Sequence, residues 1–418
     1  MTASAFATLV LLALALSTCL RYWLGWRHIG HVVAHRECVP TEFAAHIAPA
    51  DHRKAADYTV AKVKLGMLEL AIEVALFLAL TFGGVIKDID QFAHQLSEHR
   101  HVQGLLLFAG VALIGFAIDL PASLYRTFRL EARFGFNKTT AGLWWTDLVK
   151  SLALSVLIGA PLLWCVLWLM EAMGESWWLY VWMVWLGFNV LILLLYPTVI
   201  APLFNKFTPL QDDALKARIE ALLRRCGFSA SGLFVMDGSK RSAHGNAYFT
   251  GFGAARRIVF FDTLIEKLTP AEIEAVLAHE LGHFHHRHVA KRIVLMSIAT
   301  LGFLALLGQL IHQPWVFEGL KVGAGGTAMG LLLFSMVLPW FLFPLAPLGS
   351  MLSRRHEYQA DAYAARQTDA ADMVTALVKL YRDNAATLTP DPLHSLFYDS
   401  HPPASQRIAH LGLLGHPS

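Results

Sequence analysis

Long apolar runs alternate with polar segments along this chain, and the runs have the length of bilayer spans rather than of buried strands. A helix that crosses a bilayer needs about 20 apolar residues, and seven stretches qualify, at roughly 3–24, 62–86, 104–126, 148–172, 177–201, 291–312 and 325–350. The first also has the look of a cleavable leader, because Ala15-Leu16-Ser17 resembles a small-residue cleavage site. No Lys or Arg precedes Arg21, however, and positive charge follows the run, so a retained anchor is expected. The spans divide the chain into 1–201 with five spans and their loops, a polar segment 202–290, two spans in 291–350, and a C-terminal segment 351–418.

Loop charge orients these pieces. Arg21, Arg27, Arg36, Arg53 and Lys54 follow the first span, and Arg126, Arg129, Arg133 and Lys138 follow the third. Cytoplasmic loops carry the excess of Lys and Arg, so the N-terminus is expected outside and both large polar segments in the cytoplasm.

Segment 202–290 reads as a small α/β insert. Asp212 to Cys226 has helical periodicity and stops at Gly227. Leu233–Met236, Gly245–Gly253 and Arg257–Phe261 read as strands, the last two joined around Ala254-Ala255. Thr269-Pro270 with Glu272 opens a helix expected to run on toward span six. In the C-terminal segment, helices are expected through Ser353–Gln367, continuing from the last span, and around Asp372–Arg382.

Composition agrees with a membrane protein: 56% of residues are hydrophobic and 16% charged, with a mean hydropathy of +0.48. Soluble domains are nearer half apolar and a quarter charged. A net charge of +3 is too mild to argue for a nucleic-acid partner. Cys19, Cys38, Cys165 and Cys226 form no close-spaced pair, which excludes a disulfide framework or a thiolate metal site.

The sharpest chemical signal is His279-Glu280-Leu281-Gly282-His283. Residues four apart share a helix face, so both imidazoles can reach one zinc ion, one per chain, and Glu280 can take a proton from a water the metal activates. In a chain of this composition the motif is expected by chance on the order of 0.03 times. A catalytic zinc needs a third protein ligand and an open position. His285, His286 and His288 are read as solvated or interfacial, since no third His follows at the extended metalloprotease spacing. The better candidate is Glu357 in Ser353-Arg-Arg-His-Glu-Tyr-Gln-Ala-Asp361, which starts the second cytoplasmic segment. Asp361 shares its face and could accept the free N–H of a ligating His. From spacing alone, Arg354, Glu357 and Asp361 also fit ordinary ion pairs on an exposed helix. Glu69 and Glu73 in span two and Asp119 in span three are ionisable residues at membrane depth, which face a cavity or a partner.

Several motifs together resemble the type I CAAX prenyl protease family. They are Phe134-Gly-Phe-Asn137, Pro202-Leu-Phe-Asn-Lys-Phe-Thr-Pro-Leu210, Arg241-Ser-Ala-His-Gly-Asn-Ala-Tyr248, Arg257-Ile-Val-Phe-Phe-Asp-Thr-Leu264, His279–His283, Ser353–Asp361 and the closing His401-Pro-Pro-x-x-x-Arg407. The resemblance implies a mainly α polytopic protein of seven transmembrane helices enclosing a chamber, with the zinc site at its cytoplasmic end. It implies Glu357 as the third zinc ligand and Asp361 behind a ligating histidine. It further implies Asn246 and His401 as oxyanion stabilisers, Asn246–Gly251 as the edge strand that receives extended substrate, including Ala247 and Tyr248, and Arg407 as an organiser of the site or of the substrate carboxylate. Read without the resemblance, Asn246 could be a turn residue and His401 a loop cap.

The expected partners are a peptide or protein substrate bound as an extended strand, prenylated or not, and the lipid bilayer. Compact loops and brief polar termini suggest a bacterial homologue in an inner membrane, for which quality control of unprenylated membrane proteins is the alternative role. A membrane metal-binding or transport protein would place its ligands inside the spans, whereas the histidines here concentrate in the aqueous segments.

Overall fold

The structure, a computed structural model, describes residues 1–250, 257–323 and 325–414. Among these, six helical segments are long and apolar enough to cross a membrane: Ala3–Ala34, Arg100–Glu131, Ala141–Ala172, Gly174–Phe204, His288–Leu310 and Thr327–Gln367. A bent pair, Pro49–Leu80 with Val85–Leu96, makes seven if counted as one span.

The expected second span, 62–86, is therefore corrected. Its helix begins earlier, at Pro49, ends at Leu80, and turns by 54° before Val85. Gly83-Gly84 cause the break, because Gly84 sits at φ +84°, a conformation glycine adopts without a Cβ penalty. The last span also extends beyond 350. Thr327–Leu342 passes through one tight turn at Phe343–Leu345 into a helix Ala346–Gln367, so a single run carries the chain from the bilayer to Glu357 and Asp361.

The insert holds a four-stranded sheet in the order β1-β2-β4-β3, with β1 Phe207–Pro209, β2 Gly232–Met236, β3 Ala247–Thr250 and β4 Arg257–Phe261. β2 and β4 run parallel, while β1 and β3 pair antiparallel on their outer sides. β1 was not anticipated, because three residues ending in Pro are too few for alternation to register. The join around Ala254-Ala255 and the end of the Asn246–Gly251 stretch lie outside the described residues.

Phe260 and Ile258 of β4 pack with Ile219 and Leu222 of the helix Asp213–Arg225, and with Ile273, Leu277 and Leu281 of the helix Pro270–His285. That last helix starts as its sequence predicts. Thr269 accepts from the Glu272 N–H, and Glu272 reaches back to the Thr269 N–H at 2.8 Å, a reciprocal cap. It does not run on into span six. It ends at His285, Arg287 takes φ 54°, and a new helix starts at His288.

Two contacts fasten the insert to the membrane helices. Arg241 is held by both oxygens of Asp147 at 2.8 and 3.0 Å and by Asn205 Oδ1 at 2.9 Å. Phe136, which packs 5.0 Å from the Tyr58 ring, stacks on His244 with ring centroids 4.4 Å apart, and its carbonyl accepts from the Ala243 N–H at 3.1 Å. The Phe134–Asn137 and Arg241–Tyr248 motifs thus meet at one joint, where Asn137 bridges to Ser242.

Candidate metal centre

The site forms where the helix Pro270–His285 crosses the helix Ala346–Gln367. The crossing is close because Gly282 lies against Ala360. A Cβ on Gly282 would stand 2.9 Å from Ala360 Cα and 3.1 Å from both the Ala360 carbonyl and Tyr363 Cβ. Backbone atoms cannot yield as a flexible side-chain tip can. Gly282→Ala is accordingly expected to push the helices apart, cost roughly 1–3 kcal/mol and weaken metal binding; thermal unfolding and metal content of the purified protein check both.

That crossing brings together the three expected ligands. His279 Nε2 and His283 Nε2 are 3.2 Å apart. Glu357 places one oxygen 3.4 Å from the first and the other 3.3 Å from the second. Donor atoms around a tetrahedral ion with bonds near 2.05 Å are about 3.3 Å apart, so these separations suit zinc. Glu357 is buried, and its Oε2 has no hydrogen-bond partner among the described residues. A buried carboxylate oxygen left over in this way fits coordination to a cation. The exposed-helix reading of Glu357 is excluded, since Glu357 is 4% and Asp361 0% exposed.

Behind the expected ligands, His279 Nδ1 donates to Asp361 Oδ1 at 2.9 Å. Arg407 clamps the same carboxylate at 2.5 and 2.8 Å and is itself 5% exposed. Burial alone would depress the His279 imidazole, but the Asp361 carboxylate bonded to it and the Glu357 carboxylate beside it outweigh this and raise it to about 9.

Glu280 lines a cavity of about 770 Å³ together with His279, Asn246, Ala247, His401 and Arg407. His401 Nε2 lies 3.4 Å from Glu357 Oε1, with Nδ1 paired to Ser400 Oγ at 2.9 Å. Its ring is held below the usual value by desolvation, against the pull of Glu357. Asn246 is exposed, and its Oδ1 accepts from the Ala247 N–H at 2.8 Å, which leaves the amide NH₂ as its donor side. Ala247 and Tyr248 belong to β3, the terminal strand of the sheet.

Arg407 sits behind the His279–His283–Glu357 cluster, packed on Asp361, where its guanidinium balances a buried charge. His288, read from sequence as solvated or interfacial, is 4% exposed and touches His283; that reading is corrected. His285, by contrast, is exposed.

Glu69 and Glu73 line a second cavity of about 790 Å³ with Arg21, Asp119, Arg126 and Tyr398. Glu73 pairs with Arg21 at 3.2 Å, and Glu69 pairs with Arg126. Lys62, Val63 and His394 line both cavities, so the two adjoin.

Comparison with known proteins agrees with this geometry. A model of the CAAX prenyl protease N-terminal region, with five membrane helices, matches residues 28–206, and a peptidase family M48 model matches residues 209–413. The chain is 37% identical over 325 residues to CAAX prenyl protease 1 of Saccharomyces cerevisiae, covering 74% of this chain and 72% of that protein. It is 38% identical over 316 residues to the Arabidopsis thaliana homolog, covering 74% of each. With the Homo sapiens homolog it shares 32% over 350 residues, again 74% of each. The crystal structure of S. mikatae Ste24p superposes with a TM-score of 0.90 at 32% identity, covering 97% of this chain and 98% of that one. These relatives are eukaryotic, whereas the short loops had suggested a bacterial homologue. With the motif helix, the membrane helices and the matched relatives in agreement over most of its length, the chain belongs to peptidase family M48, as a membrane metalloendopeptidase of the CAAX prenyl protease type.

Proposed function

We propose that the chain hydrolyses peptide bonds with a zinc ion held by His279, His283 and Glu357, at the cytoplasmic face of the membrane. The observation that carries the reading is the closeness of these three donors, all within 4.8 Å of one another, beside a cavity that Glu280 lines. Bound there, zinc supplies Lewis-acid chemistry, acidifying water and polarising a carbonyl. Glu280 takes the proton from the attacking water and passes it to the leaving amine. The Asn246 amide and the His401 ring donate to the oxygen on which negative charge develops. Asp361, fixed by Arg407, holds the His279 ring with Nε2 toward the ligand cluster.

Substrate lies along the outer edge of β3 as an added strand, reading Ala247 and Tyr248 through their backbone. The terminal position of β3 beside the cavity supports this. The relatives' names point to prenylated CAAX peptides as the substrate class. If the source is bacterial, the inner membrane is the location, and unprenylated membrane proteins become the substrates.

The test is metal content of the detergent-purified protein together with cleavage of one peptide made with and without its prenyl group. About one zinc per chain, lost in Glu357→Ala, is expected. Cleavage confined to the prenylated peptide assigns prenyl processing, and equal cleavage of both assigns general proteolysis. Wild-type protein that binds no zinc would overturn the ligand assignment.

A further inference from the structure

Of the two candidate histidine ligands, only His279 is backed by a carboxylate among the described residues. His283 Nε2 faces Glu357 and His279, so in a metal-ligating imidazole the remaining proton sits on Nδ1. That Nδ1 lies 3.0 Å from His288 Nδ1. His288 Nε2 in turn lies 2.9 Å from Gln359 Oε1. Only one assignment of protons satisfies all three side chains. His283 Nδ1–H donates to His288 Nδ1, and His288 Nε2–H donates to Gln359.

The His288 ring is immobilised for this task. It is 4% exposed and stacks on His356 with centroids 3.9 Å apart and planes 12° from parallel. The backbone is arranged for it too. In an unbroken helix, residues five apart are rotated by about 140° and cannot face one another. The left-handed turn at Arg287, φ 54°, interrupts the helix between His283 and His288 and returns the second ring to the first. Gln359 stands two residues after Glu357 on the same helix, so the third ligand and the end of the relay are positioned together.

We propose that His288 is a positioning residue for the metal, fixing the tautomer and orientation of His283, with Gln359 fixing His288. The inference rests on His279, His283 and Glu357 being the metal ligands. It makes the two histidines unequal. His279 leans on the Asp361–Arg407 pair, while His283 leans on a neutral ring that orients it without adding a buried charge.

The test uses the full chain in detergent, stripped with a chelator and then titrated with zinc against a chromophoric chelator. A parallel sample is loaded with cobalt, whose visible spectrum reports ligand geometry. His288→Leu removes the acceptor and should weaken zinc binding by about 10–100-fold and alter the cobalt spectrum. His288→Asn, whose Oδ1 can take the place of Nδ1, should recover most of the affinity. Gln359→Leu should shift both readouts in the same direction by less, and it carries the test alone if His288→Leu does not fold. Lower melting temperatures in the Leu variants with unchanged affinity and cobalt spectrum would mean that His288 only packs, and would overturn the proposal. Zinc absent from the wild type would instead overturn the ligand assignment, and with it this inference.

Discussion

Glu280→Gln is expected to lose peptide cleavage by about 10²–10⁴-fold, the range general acid–base groups supply, while keeping its zinc. The replacement has nearly the same shape, so the helix Pro270–His285 and its packing on Ala346–Gln367 should persist. What it cannot do is accept a proton. Glu280 lines the cavity beside the three donors and is not one of them. Loss should therefore appear in turnover and not in metal content or melting temperature. Cleavage of a quenched-fluorescent peptide by wild type and variant, with zinc measured on the same preparations, separates the two. Full activity in the variant would remove Glu280 from the mechanism.

Arg407→Leu should be the more damaging change to the folded state. Asp361 is completely buried, and Arg407 supplies two hydrogen bonds and the opposing charge. Removing one partner of a buried pair costs about 3–5 kcal/mol, because the other charge is left uncompensated. The double variant Arg407→Leu with Asp361→Leu should recover much of that stability, since a buried pair exchanged for apolar groups is often neutral. It should not recover zinc affinity, because His279 Nδ1–H then has no acceptor. Thermal unfolding and zinc titration of both variants would show this split. Equal loss of the two properties in single and double variants would argue against a separate orienting role for Asp361.

Much of the architecture could be read along the chain because it is encoded locally. Bilayer spans announce themselves by length and hydropathy, the Thr269–Glu272 cap by spacing, and the His279–His283 motif by helical period. Local patterns fail where the backbone departs from a regular period. The bend at Gly83-Gly84 ended the second span's helix earlier than its apolar run suggests, and the break at Arg287 put His288 against His283 instead of on the membrane side. β1 escaped notice because a three-residue strand has no period to detect.

The sequence by itself determined a polytopic membrane chain with a helix bearing two imidazoles and a carboxylate between them. That Glu357, and not one of the nearby histidines, faces the Nε2 atoms of both imidazoles was decided by the crossing of two helices at Gly282 and Ala360. The same crossing decided that Asp361 is buried and needs Arg407, and that Gln359 lies at the end of the His288 relay. Arg241 on Asp147 is a further pairing of this kind, spanning segments far apart in the chain. The physical reason is common to all of them. Helical and strand periods depend on neighbours a few residues away, whereas compensation of a buried charge or donor depends on whichever group the packing brings within about 3 Å.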